Sequence, residues 1–160
     1  DHLKTALRQD LPISEIYQSP IFGKLGGVGW EWISAGWLLG GLWLLFTKTI
    51  RWHIPVALLG SLGCIALAFY LVDTETAASP LFHWLSGGAM LGAFFIATDP
   101  VSAATTNNGR IYYGILIGLI IYLIRSWGGY PDGVAFAVLL ANMCVPLIDY
   151  YTQPKVYGGA

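Results

Sequence analysis

Five apolar runs, divided by short polar or turn-rich links, dominate the chain at residues 30–46, 54–72, 81–98, 111–124 and 133–148. At ~1.5 Å per residue, the run at 54–72 has the length of a membrane-crossing helix, whereas 111–124 covers only ~21 Å and is short for a bilayer. Ahead of them, residues 1–29 are mixed, with Lys4, Arg8, Asp10, Glu15 and Lys24 among apolar positions. Leu3, Leu7 and Leu11 recur at helical spacing before Pro12, which predicts an amphipathic arm on the membrane surface. Residues 30–151 form the five-span unit, and 152–160 a tail.

The third run changes character halfway. SGGAMLGAFFIATDPVSAATTNNGR opens on small residues, becomes continuously apolar, and stops at Thr98-Asp99-Pro100. Proline cannot continue the helical hydrogen-bond ladder and disfavours helical backbone in the residue before it. A hydroxyl-rich stretch follows, and Asn107-Asn108-Gly109 reads as a tight turn. Non-helical backbone at membrane depth survives only where protein or a wet cavity satisfies it, so this stretch is a candidate site. In the first run Gly36 and Gly40 have the GxxxG spacing and, with Gly41, offer a face for close helix packing. Asn142 and Pro146 interrupt the fifth run.

Composition settles the class. Hydrophobic residues make up 56% and charged residues 11%, and the mean hydropathy is +0.62, too apolar for a soluble domain. The fold class is therefore an all-α membrane protein with five transmembrane helices, one or more of them broken or half helices. A net charge of −1 without a Lys/Arg cluster excludes a nucleic-acid surface. Cys64 and Cys144 read as buried small hydrophobes. His2, His53 and His83 have no second ligand at metal spacing, so no metal site is expected. With no initiator Met and no signal-peptide pattern, the chain reads as a C-terminal piece of something longer. Five spans put the termini on opposite faces. Among charges near the helix ends, Lys48, Arg51, Arg110 and Lys155 outweigh Lys24 and Arg125, which predicts a cytoplasmic C-terminus.

Three carboxylates, Glu31, Asp99 and Asp149, stand at or within span edges. An acid at mid-bilayer costs about 2.5–3.5 kcal/mol, so a deep one faces a partner, a cavity or an ion. Glu31 is read first as a helix-end marker. Asp149 is open between that role and function. Asp99 is favoured for function because it coincides with the helix break and the Ser/Thr/Asn cluster. Asn142 and Pro146 would free carbonyls near Asp149, lining a cation path or merely marking a kink.

The stretch quoted above, with YGILIGLIIYLIRSWGGYPDGVAFAVLLANMCVPLIDYYTQPKVYG, closely resembles the C-terminal half of the RnfD family, a subunit of the bacterial ion-translocating electron-transport complex. ATDPVSA and the PLID ending are shared with the related NqrB subunit of the sodium-pumping quinone reductase. The resemblance implies a urea-transporter-like fold of ten helices in two repeats, of which this chain would be the second. It implies FMN bound covalently through a threonine in a motif that is not in this chain and is expected just before Asp1. It leaves open a second, noncovalent flavin nearby. The implied flavin-vicinity residues are those of the arm at 1–4, together with Ser86, Gly87, Gly88, Tyr130 and Asp132, and Arg125 as a balance for phosphate charge. Asp99, Asp149, Asn142 and Glu31 are the ion-pathway candidates. The implied function is electron transfer coupled to Na+ or H+ movement across the bacterial inner membrane, in company with the other subunits of the complex and the lipid bilayer. The residues by themselves leave two other readings: a solute channel with broken helices, and a passive scaffold.

Overall fold

A computed structural model describes residues 29–72, 77–128 and 133–154, and among them all regular structure is helical. Predictions for the arm, for Tyr130 and Asp132, and for Lys155 lie outside the described residues.

Helix α1 (Trp30–Phe46) follows Gly29, whose φ of 80° is one that glycine adopts without strain. Its 17 residues span ~26 Å. Helix α2 (His53–Val72) carries Pro55 in its first turn, where no helical N–H is lost. The third run divides into α3 (Pro80–Leu85), α4 (Ala89–Leu91) and a π-helical turn over Gly92–Ile96. Helices α5 (Asn107–Ser126) and α6 (Val134–Thr152) complete the bundle. Helices α2, α5 and α6 are each long and apolar enough to cross a membrane.

Several expectations are corrected. Cys64, read as a buried small hydrophobe, is exposed on α2, and Cys144 is only partly covered on α6. The third run is not one helix to Thr98: Ser86 turns extended and Gly87 takes φ 63°, a left-handed turn open to glycine, so the helix stops and restarts. Asn107-Asn108-Gly109 is not a tight turn but the first turn of α5. The Thr106 hydroxyl accepts from Gly109 N–H at 2.9 Å and caps the helix, which extends the fourth span to 20 residues. Asn142 and Pro146 do not interrupt the fifth span, since α6 runs through both.

The centre of the structure is an α2–α5 pair. Leu58 and Leu62 of α2 and Tyr113, Ile117 and Ile121 of α5 are fully buried, with Ala137 and Ala141 of α6 against them. A methyl group on Gly114 would stand 2.7 Å from Ala57 Cβ and 2.9 Å from the Ile54 carbonyl, and one on Gly118 2.7 Å from the Leu58 carbonyl. These contacts advance in step along both helices, so α2 and α5 are parallel and touch backbone to backbone. In α1, by contrast, Gly40 and Gly41 receive Phe95 and Phe94 while Gly36 meets nothing. The close-approach GxxxG is therefore Gly114 and Gly118, not Gly36 and Gly40.

The break at residues 86–88 is satisfied by side chains. Arg125 Nη1 and Nη2 donate to the His83 and Ser86 carbonyls at 2.6 and 3.1 Å. Ser34 Oγ donates to Leu85 O at 2.7 Å and Trp30 Nε1 to Gly87 O at 3.0 Å. Non-helical backbone thus persists here because α1 and α5 supply the donors that water cannot. Ser34→Ala leaves the Leu85 carbonyl without its donor at a site 1% exposed. The expected cost is about 0.6–1.7 kcal/mol, the range for interhelical hydrogen bonds in membranes, read as a lower thermal unfolding midpoint in detergent. An unchanged midpoint would show that the break is held otherwise.

Candidate functional site

The second irregular stretch, residues 97–106, descends from the π turn to the start of α5. The π turn itself arises where Ala97 N–H reaches past one residue to Gly92 O at 2.8 Å, and such turns recur at functional sites. Thr98 Oγ1 donates back to Phe94 O at 2.7 Å. Asp99 then accepts at Oδ2 from Ser102 N–H at 3.0 Å and from Ser102 Oγ at 2.8 Å, closing a turn with its own loop. Among the described residues Oδ1 of Asp99 accepts no hydrogen bond, so half of this carboxylate is open.

Asp149 is placed differently. Both of its oxygens accept Thr105 N–H, at 3.0 and 3.2 Å, and Oδ2 accepts the Thr105 hydroxyl at 2.9 Å. Beside it runs a hydroxyl chain whose direction follows from its end. Thr152 Oγ1 donates to the Ile148 carbonyl at 2.8 Å, so at 2.6 Å Thr106 is the donor to Thr152, and Thr106 accepts from Gly109 N–H. A methyl group on Gly109 would lie 2.9 Å from Thr152 Oγ1 and 3.1 Å from Asp149 Oδ1, which is why glycine stands there. Asp149 and its threonines form a latch between α6 and the irregular stretch.

Tyr113, fully buried, donates to Asn142 Oδ1 at 2.5 Å. Pro146 has no N–H to return to the carbonyl four residues earlier, so the Asn142 carbonyl loses its helical partner beside that pair. Asn142 and Asp149 stand seven residues apart on one face of α6, ~10 Å along the axis. Of the four ion-pathway candidates, Asp99 and Asp149 share one end of the bundle, and Asn142 stands deeper, at the middle of α6 against Tyr113. Glu31, in the first turn of α1 beside Trp30 and the break, is at the other end, where a carboxylate also complements the helix dipole.

Of the flavin-vicinity candidates, Ser86, Gly87 and Arg125 come together at the break, next to Gly88. A ring cluster of Phe69, His83, Tyr122 and Trp127 flanks them, with centroids 5.2 to 6.1 Å apart. The Arg125 guanidinium serves the two carbonyls described, and a phosphate there would compete with them. Among the described residues no other Lys or Arg stands at that end. The described side chains thus fit a wall better than a phosphate clamp.

The sequence pattern does not single out Tyr113 and Thr152, and it marks Thr105 and Thr106 only as members of the hydroxyl-rich cluster after Asp99. The Thr106-x-x-Gly109 cap was a visible signal, but the pairing of Tyr113 with Asn142 depends on packing between helices.

Three helices long and apolar enough to cross a membrane, packed with a third run broken at residues 86–88, define a class: polytopic helical membrane proteins. Within that class, the chain belongs to the NQR2, RnfD, RnfE family, whose model matches residues 1–158. It is 61% identical over 158 residues to the D subunit of the ion-translocating oxidoreductase complex of Aliivibrio salmonicida, covering 99% of this chain and 45% of the relative. It is 58% identical over 159 residues to the same component of Erwinia tasmaniensis, and 60% identical over 158 residues to that of Vibrio cholerae serotype O1, again covering 99% of this chain and 45% of each relative. The chain therefore spans just under half the length of these curated relatives.

Proposed function

We propose that this chain is the membrane-embedded C-terminal part of the D subunit of an ion-translocating oxidoreductase complex in a bacterial inner membrane, coupling electron transfer to movement of Na+ or H+. The observation that carries the reading is 58–61% identity over 99% of the chain to proteins of that name. The broken third span, with an acid half free at its end, supports it physically. The face carrying Lys48, Arg51 and Arg110 is assigned to the cytoplasm, and with it the C-terminus. The whole protein is read as a ten-helix, urea-transporter-like pair of repeats.

FMN, joined to a threonine outside this chain, supplies the one-electron chemistry when bound, and a second, noncovalent flavin belongs to the same reading. This chain's residues wall the membrane end near the break, exclude lipid there, and at the opposite end offer oxygen ligands. Asp99 presents Oδ1 toward the path. The freed Asn142 carbonyl and the Tyr113–Asn142 pair add neutral oxygens, and Asp149 holds the loop that carries Asp99.

Two measurements on the full-length protein in its complex test this. Flavin fluorescence is expected to stay with the denatured polypeptide, and its absence would remove FMN from the reading. Reconstituted complex is expected to build an ion gradient when reduced substrate is supplied. Turnover without a gradient would reduce the role to redox chemistry alone.

A further inference from the structure

Where α2 and α5 begin side by side, two cations converge on one neutral acceptor. Arg51 Nη1 donates to Asn107 Oδ1 at 3.0 Å, and Arg110 Nη1 approaches the same oxygen at 3.4 Å. Among the described residues this is the one hydrogen bond Arg51 makes. Among them, too, no carboxylate there is paired with either guanidinium, and Asp149 acts on Arg110 only through space. Arg110 Nε is held by the Ala104 carbonyl at 3.1 Å, which fixes where its fork points. Two like charges gathered on a single amide oxygen repel each other. Each guanidinium has five donors, most of them unspent here, in the planar geometry that suits a phosphate. Exposed Lys48 adds a third cation to the same face.

The surface below these charges is hydrocarbon. From Asn107, the positions at intervals of four on α5 are Ile111, Ile115 and Leu119, exposed by 36, 37 and 38%. They form one apolar stripe descending from the amide that both arginines share. Trp52, 56% exposed beside Arg51, is an aromatic at the interfacial level. A phosphate-seeking pair above an open apolar stripe matches a molecule with a phosphate head and a hydrocarbon tail, which an acidic protein surface would not do. We propose that Arg51 and Arg110 hold the phosphate of an anionic phospholipid, with an acyl chain laid along Ile111, Ile115 and Leu119. This site is independent of the redox reading.

The test uses the full-length protein in its membrane complex, reconstituted in phosphatidylcholine nanodiscs with trace spin-labelled lipid. Spin-labelled phosphatidylglycerol is expected to be immobilised in preference to spin-labelled phosphatidylcholine. The double substitution Arg51→Gln, Arg110→Gln should lower that preference about thirtyfold, the effect of two interfacial charges. Arg51→Lys, Arg110→Lys keeps both charges without the forks and should retain part of it. Equal immobilisation of the two lipids by the unsubstituted protein overturns the proposal without need of any variant. So does an unchanged preference in the glutamine pair. Binding of inorganic phosphate to the arginine pair with no preference for phosphatidylglycerol would assign the pair to a free anion. Loss of a neighbouring subunit with lipid preference unchanged would assign it to a protein partner. Either result overturns the lipid site.

Discussion

Gly118→Leu is expected to abolish the folded protein. The added Cβ alone would press on the Leu58 carbonyl at 2.7 Å and the Leu62 amide at 3.0 Å, both backbone atoms of a buried helix, and neither can swing aside. Overpacking of a close-packed core costs about 1–3 kcal/mol even for smaller insertions. Here the two helices must part, taking with them the burial of Leu58, Leu62, Ile117 and Ile121. The same reasoning applies to Gly114→Leu. Gly36→Leu and Gly60→Leu supply the contrast, because nothing lies within 4 Å of either added Cβ. The measurement is the yield of monodisperse protein after detergent extraction. Normal yield from Gly118→Leu would mean that α2 and α5 do not meet as described.

Asp99→Asn is expected to leave the fold intact and to lower ion translocation about ten- to a hundredfold. An amide retains an oxygen to accept from Ser102 N–H and Oγ, so the turn after the break persists. The charge disappears, and with it a contact to a cation of the strength of a charged hydrogen bond, about 1.5–3 kcal/mol. Gradient formation by reconstituted full-length complex is the readout, with thermal stability as the control. Asp149→Asn should show the opposite balance. Its two oxygens both serve Thr105, so loss of one acceptor loosens the latch and lowers stability more than selectivity. An Asp99→Asn complex that pumps at the unsubstituted rate would exclude this carboxylate from the path.

The extent of α1 and α2 was legible because their apolar runs end at charged or turn residues, and the observed bounds agree to within one residue. The third run misled because hydropathy is blind to backbone: Gly92–Ile96 is equally apolar as an α or a π turn. Ser86-Gly87-Gly88 showed as small residues, but small residues serve packing as often as breaks, and only the φ of Gly87 decides. Asn107-Asn108-Gly109 has the composition of a turn, and Thr106 overrode it by offering a cap. Pro146 was read as an interruption, yet α6 absorbs it. The acids were visible individually. That Asp149 is a latch and Asp99 half open follows from partners 44 and 3 residues away, which spacing alone does not reveal.

The carbonyls of the break at residues 86–88 have a consequence for how the chain is made. Those of Leu85 and Gly87 are met by Ser34 and Trp30, which precede them in synthesis. Those of His83 and Ser86 are met by Arg125, which follows about forty residues later. When the third segment leaves the ribosome, half of its break still lacks donors, and hydrocarbon cannot supply them. The break is therefore fully satisfied only once α5 has been made and has packed against α3, which ties completion of the third segment to the arrival of the fourth.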